Sequence, residues 1–292
     1  MVTIAKAYIP SHDKFIGIKQ FTNREYRDLL KILIGKDPGI TNLYLNQFIQ
    51  YHIDQQISMN FIDKICVLLT LRCVSIGDTI THQLTHEGSS HNFRYNIYDV
   101  IQKLADLPKF DQEIHSDQIT ITLGAPNNIF HNINEIAEYV KSISVLGEIY
   151  DMTECSLEQR VQTLTSLPGE QRRTMVSRCR IIGDSIYTTP LFTIYTDVER
   201  KSSLHVHLQQ DTDGVFNFLG IFFQDNIKNL MSKQFLLGKD YHMSYEYFDS
   251  ISPIDGDMYM QFHKDIQSER EAQSKTNDGP TIPGMSPSVD LP

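Results

Sequence analysis

The longest apolar run in the chain, residues 65–71, is interrupted only by Thr70 and stops at Arg72. That is far too short to span a bilayer. Cys66 and Cys73 lie seven apart within and just beyond it, the spacing of two residues on one helical face, and are expected as buried free thiols. A helix is predicted over 59–75, carrying Phe61, Ile62, Ile65, Leu68, Leu69 and Arg72 and ending at Gly77.

Two further helices are expected before it. Thr22-Asn23-Arg24-Glu25 has the form of a capping box, in which hydroxyl and carboxylate satisfy exposed backbone donors. Tyr26, Leu29, Leu30 and Leu33 follow at helical spacing, with Gly35 placed to end the helix. Asp37-Pro38-Gly39 reads as a turn, and Thr41 as the cap of a helix carrying Leu45, Phe48, Ile49 and Ile53. Three helices joined by short turns make a compact helical unit. Ahead of them, residues 4–9 and 15–21 are β-compatible.

Further along, the period alternates between two and 3.6. Residues 79–86 read as a strand, 87–92 as a polar loop and 95–107 as a helix. A strand is predicted over 115–123 and a helix over 134–146, with Ile136, Val140 and Ile143 on one side. Helices over 156–167 and 168–181 are expected to meet at Pro168-Gly169, followed by a hairpin of strands over 186–198 and 203–208. Asp213 is read as the cap of one long apolar helix running from Phe216 through Phe222 and Ile227 to Met231. Ser252-Pro253 with Asp255 marks a last helix start, running to about Ser274. Residues 275–292 hold four prolines and two glycines and are expected as a flexible tail. There is no internal repeat. The fold class expected is α+β, helix-dominated, with an N-terminal helical unit and short strands over 1–110, a mixed unit with a helical C-terminal part over 111–274, and the tail.

Charge narrows the partners. Against 26 Lys and Arg stand 36 Asp and Glu, a formal charge of −10, which disfavours sequence-independent nucleic-acid binding. The stretch from Arg160 to Arg180, with Arg172, Arg173 and Arg178, is the one local basic candidate; a solvated helix face is the plainer reading. The four cysteines (Cys66, Cys73, Cys155, Cys179) form no CxxC pair, and no signal-like segment opens the chain, so a reducing compartment is expected.

Motifs for catalysis fail on spacing. No GxxxxGK exists: Leu30, not glycine, stands five residues before Gly35-Lys36. GxGxxG and GxSxG are absent too. His86-Glu87-Gly88-Ser89-Ser90-His91 places its histidines five apart across glycine and serines, not on one helical face as a zinc helix needs. His82, His86 and His91 still cluster, and could hold a structural metal if Cys73 or Glu87 completed the set; surface histidines are the plainer reading. His205 and His207 project from one strand face. Asp211-Thr212-Asp213-Gly214 is a fragment of a calcium loop without its remaining ligands. Asp255 and Asp257 suit a helix start, and Cys155 or Cys179 could act as nucleophile only beside a histidine. No catalytic, cofactor or metal residue is assigned.

Two segments carry a family resemblance: Phe21-Thr22-Asn23-Arg24-Glu25-Tyr26-Arg27-Asp28-Leu29-Leu30, and residues 63–78 from Asp63 to Asp78. Their order is a capped charged helix, an apolar helix ending in Gly-Asp, then a strand and a polar loop. It resembles the baseplate hub assembly proteins of T-even-like contractile-tailed bacteriophages over about the first 110 residues. The resemblance implies a non-enzymatic virion protein that builds the central hub by contact with other tail and baseplate proteins. It implies an oligomeric assembly made in the host cytoplasm, with no cofactor, nucleic acid or membrane. Arg72 and Asp78 are expected as an ion pair fixing the helix–strand turn, and Arg24, Glu25, Arg27 and Asp28 as the solvated side of their helix. The alternatives are a hydrolase with a site assembled from dispersed His, Asp and Glu residues, and a chaperone-like factor absent from the mature particle.

Overall fold

The computed structural model describes residues 4–86, 89–107, 112–116, 118–131, 136–153, 155–208, 212–223 and 227–277. The chain opens with an antiparallel hairpin, β1 (Ala5–Ile9) and β2 (Lys14–Ile18), where the β-compatible runs stand. The Thr22 capping box forms as expected and starts α1 (Asn23–Gly35). Its left-handed stop falls one residue late, on Lys36 at φ 50° rather than on Gly35. The second helix, α2 (Pro38–His52), begins earlier than expected. Asp37 accepts from the Ile40 N–H as its cap and Pro38 takes the first turn, where its missing N–H costs nothing, so Asp37-Pro38-Gly39 is a helix start. Thr41 is therefore inside the helix and buried.

At the centre lies α3 (Phe61–Ser75), in which every residue except Val74 is buried. An unremarked second capping box, Asn60 with Asp63, starts it. Burial on all sides demands that its polar groups be paired. Asp63 accepts from the Ser11 N–H at 2.9 Å and hydroxyl at 2.6 Å, and Lys64 donates to the Asn127 carbonyl at 2.6 Å. Thr70 donates to the Cys66 carbonyl, and Ser75 accepts from the Phe21 N–H. The helix packs on β1, α2 and α4 (Ile97–Ala105). Gly77, at φ 139°, turns the chain out of α3 in a conformation that side chains rarely adopt.

The strand over Thr79–His86 (β3) is present; of the loop expected over 87–92, residues 89–92 are strand, while 87 and 88 lie outside the described residues. Ser89–Asn96 is β4, antiparallel to β3, and the helix begins at Ile97, not Tyr95. Polar residues fit this ribbon because most of β4 faces solvent, so no apolar alternation announces it. A four-stranded antiparallel sheet follows in the order β5 (Gln112–His115), β6 (Ile119–Leu123), β7 (Val140–Val145), β8 (Glu148–Asp151). The helix expected over 134–146 is thus a short 3-10 turn, Ile136–Tyr139, and then a strand. Residues 134 and 135 lie outside the described residues. Val140 and Ile143 are buried as read, yet β-branched side chains across from Leu123 and Ile121 favour the pleated surface. The turn into β8 is Leu146-Gly147, both at positive φ (52° and 89°), the hairpin geometry usually given to Asn-Gly.

Helices α5 (Leu157–Ser166, capped by Ser156) and α6 (Gly169–Thr188) meet at Pro168-Gly169 as expected, but α6 runs on through Ile186. The following hairpin is therefore shorter: β9 (Pro190–Tyr195) with β10 (Ser203–His207). The single apolar helix expected next is two, α7 (Thr212–Phe222) and α8 (Ile227–Tyr241). Asp213 lies in the first turn of α7, not at its cap. A short helix, α9 (Tyr245–Ser250), capped by Ser244, went unanticipated. Ser252 and Asp255 start α10 (Pro253–Asn277) as expected, and the tail from residue 278 lies outside the described residues.

The C-terminal helices fasten onto α1. The Asn23 N–H donates to the Ile251 carbonyl at 2.8 Å and its amide to Phe248 at 3.0 Å. Arg27 grips Asp249 with two hydrogen bonds, 3.0 and 2.7 Å.

Candidate interaction surface

The register brings His82 and His91 near each other on one ribbon, and the side chain of His86 lies outside the described residues. On the β3–β4 ribbon His82 faces Phe93 and His91 faces Leu84, so these two are diagonal neighbours. Glu87 lies outside the described residues, and Cys73 is buried in α3 with its thiol pushed up to about 12 by burial. Among the described residues no group of three His, Cys, Asp or Glu side chains could hold a metal ion. His205 and His207 do share a face, ring centroids 6.4 Å apart, and His205 meets the Thr193 hydroxyl at 3.0 Å. Asp211 lies outside the described residues, while Asp213 pairs loosely with Lys36 at 3.8 Å. Asp255 is tied to Ser252, and Asp257 to Lys233 at 2.6 Å. Asp255 and Asp257 thus turn to different partners.

The cysteines fit packing roles. All four are free; burial pushes the Cys179 thiol up to about 12, and the Cys155 thiol donates weakly to the Asp151 carbonyl at 3.7 Å. A low-pKa nucleophile needs the opposite environment.

Two expectations about charges change. Arg72 does not ion-pair with Asp78. Its guanidinium donates to the carbonyls of Phe222 (3.0 Å) and Thr79 (3.2 Å), tying α3 to α7 and to β3. Asp78 instead accepts from the Thr79 hydroxyl. Nor is the charged side of α1 merely solvated. Glu25 accepts from the Thr22 N–H and hydroxyl and lies 3.4 Å from His52 Nε2. Burial alone would raise its carboxyl, but the contacts with His52 and Thr22 outweigh it and hold Glu25 at about 2. Arg27 belongs to the α9 junction already described. Arg24 faces solvent, and Asp28 pairs with Lys31 at 3.1 Å.

A buried polar cluster that the sequence did not flag joins His131 to the Tyr187 hydroxyl at 2.5 Å, with Phe61 4.7 Å from the imidazole. Burial lowers the pKa of His131 and raises that of Tyr187. His131 also faces the Asn128 carbonyl at 2.9 Å. The group links the segment 128–131 to Phe61 of α3 and Tyr187 of α6.

Large apolar side chains also stand on the outside. On α10 Met258, Phe262 and Ile266 recur every four residues, one stripe along the helix, and Phe262 is 57% exposed. Tyr259 beside them touches the Tyr247 hydroxyl at 3.3 Å, extending the stripe onto α9. On α8 Met231 and Phe235 are exposed at the same spacing, above a shallow apolar groove that includes Ile227 and Leu236. Met231, expected on one long apolar helix, thus stands on the outer side of α8. At the hairpin tip Leu146 and Ile149 are both about three-quarters exposed. Aromatic and methionine side chains are enriched at protein interfaces, and an apolar stripe displayed on a helix is the composition of such a surface. The signal was available in α10, where the 4-residue spacing is legible, but only the packing of the other face shows which side is free.

The body is helix-dominated α+β and displays apolar side chains on α8, α10 and the β7–β8 hairpin. The model of the T4 bacteriophage base plate protein family matches residues 1–179, more than half of the chain, and the chain belongs to that family. It is accordingly a structural protein of the phage baseplate, located in the virion tail and in contact with other tail and baseplate proteins. No curated protein and no solved structure matches it. Among the described residues no helix is long and apolar enough to cross a membrane.

Proposed function

We propose that the chain serves the central hub of the baseplate, acting without catalysis and by surface contact alone. The observation that carries this is the display of Met258, Phe262 and Ile266 on α10 and of Met231 and Phe235 on α8, in a chain of the baseplate family. The hub assignment draws on the resemblance in the segments 21–30 and 63–78. In this reading the protein is made and assembled in the host cytoplasm as part of an oligomer, without nucleic acid, membrane, metal or cofactor. Residues 1–110 and 111–274 act as two units joined along α1. Residues beyond 179, outside the family match, supply the contacts particular to this chain.

The test is to remove the chain during infection and sort the assembly products. Completed outer wedges without a central hub are expected. Normal hubs in its absence would refute the assignment. Mass spectrometry of purified particles then separates a resident subunit from a chaperone-like factor that leaves before maturation.

A further inference from the structure

We infer that copies of this chain associate head to tail, the outer face of α10 in one copy lying in a basic groove along α6 of the next. This rests on the contact reading above and names one of its partners as a second copy.

The groove along α6 is shallow and open to solvent, and is lined by Arg172, Arg173, Val176, Arg180, Ile181 and Asp184, among others. Val176 and Ile181 are exposed within it. Among the described residues no carboxylate ion-pairs with Arg172, Arg173 or Arg180. Three unpaired guanidiniums around an apolar strip, in a chain of formal charge −10, are a local reversal of sign. Such a surface fits an amphipathic helix that carries acids beside its apolar stripe.

The chain displays that helix. On α10 Phe262 and Ile266 are exposed, and Asp265 and Glu269, also one turn apart, flank them on one side. From Gln261 to Arg270 every residue but His263 is exposed, so among the described residues little of the chain covers this length of helix. Helices of that length are marginal alone in water, and a partner face would stabilise it. Apolar residues meet Val176 and Ile181, while Asp265 and Glu269 come within reach of the groove arginines.

The two surfaces belong to different parts of one copy: α6 packs on β5 and the 3-10 turn, α10 on α8, α1 and α3. The contact is therefore heterologous, and repeating it yields a ring if the rotation closes. About three turns of helix bury less than the ~1,200 Å² of a standard stable interface, so each contact is weak and concentration-dependent. Its flanking ion pairs are screened over ~8–10 Å in ordinary salt, so high salt weakens it further. The arginines could also face phosphates, but the apolar strip of Val176 and Ile181 between them favours an amphipathic helix.

The test is sedimentation velocity of the full chain over rising concentration, in low and in high salt. Wild type is expected to self-associate, less so in high salt. R173E/R180E and D265K/E269K, each with an unchanged melting temperature, should each weaken self-association by about tenfold or more. Mixing the two variants should restore it, since each supplies the face the other lacks. A wild type that stays monomeric at the highest soluble concentration overturns the inference. So do charge variants that associate like wild type, or an R173E/R180E chain that loses only nucleic-acid binding. If self-association is absent while the chain still enters baseplates, this inference falls and the contact reading stands.

Discussion

The two helices α3 and α10 are built from similar apolar residues and put them to opposite use. On α3 apolar residues cover the whole circumference, and Asp63, Lys64, Thr70, Arg72 and Ser75 are each matched to a partner on a neighbouring segment or turn. On α10 one side is seated against α1, α3 and α8 over the first half of the helix, and the apolar stripe faces outward. A helix buried all round makes the body; a helix buried on one side and apolar on the other makes a surface for something else. Family membership follows the same division, since α3 lies within the matched residues 1–179 and α10 beyond them.

The comparison breaks first if α3 tolerates a cavity. Leu68 is completely buried, and Leu68→Ala is expected to cost about 2–5 kcal/mol in chemical denaturation. A loss under about 1 kcal/mol would mean that α3 is not the packed centre. Next comes the junction between the two regions. Arg27→Ala removes both hydrogen bonds to Asp249, each side chain about one-fifth exposed, and should cost about 1–2 kcal/mol. If α10 and α9 were loosely attached, that variant would melt like wild type.

A smaller effect is set by pH. Glu25 is held at about 2, below its ordinary 4.5, so its contribution is present above pH 4.5 and is lost as pH falls from there through about 2. Glu25→Gln should flatten that acid limb while leaving the melt near neutral pH lower than wild type. An unchanged acid limb would remove the Glu25–His52–Thr22 arrangement from the account. The smallest stability effect belongs to α10 itself: Phe262→Ser with Ile266→Ser should alter stability by no more than about 0.5 kcal/mol, because neither side chain is covered.

The sequence revealed most where local chemistry decides. The capping box at Thr22 and the start at Ser252-Pro253 stand where they were read, because each cap satisfies its own donors within four residues. The fully apolar segment of α3 could be nothing but core. Residues 140–145 were lost because Val140 and Ile143 suit either a helix face or a strand, and only pairing with β6 and β8 chooses. The β3–β4 ribbon hid its second strand for the reverse reason, since a solvated strand needs no apolar alternation. Arg72 was assigned to the nearest acid in sequence, whereas its partner, the Phe222 carbonyl, is 150 residues away. Exposure on α10 was equally nonlocal. The stripe is written in the sequence, but which side the body covers is not.

The central claim is that this chain works through what its C-terminal helices display. The most direct measurement is incorporation: a phage lacking the chain is complemented with wild type or with Met258→Ser, Phe262→Ser and Ile266→Ser combined, and finished baseplates are counted. The variant should be folded and as stable as wild type, yet absent from baseplates. Normal incorporation and normal baseplate yield would contradict the account.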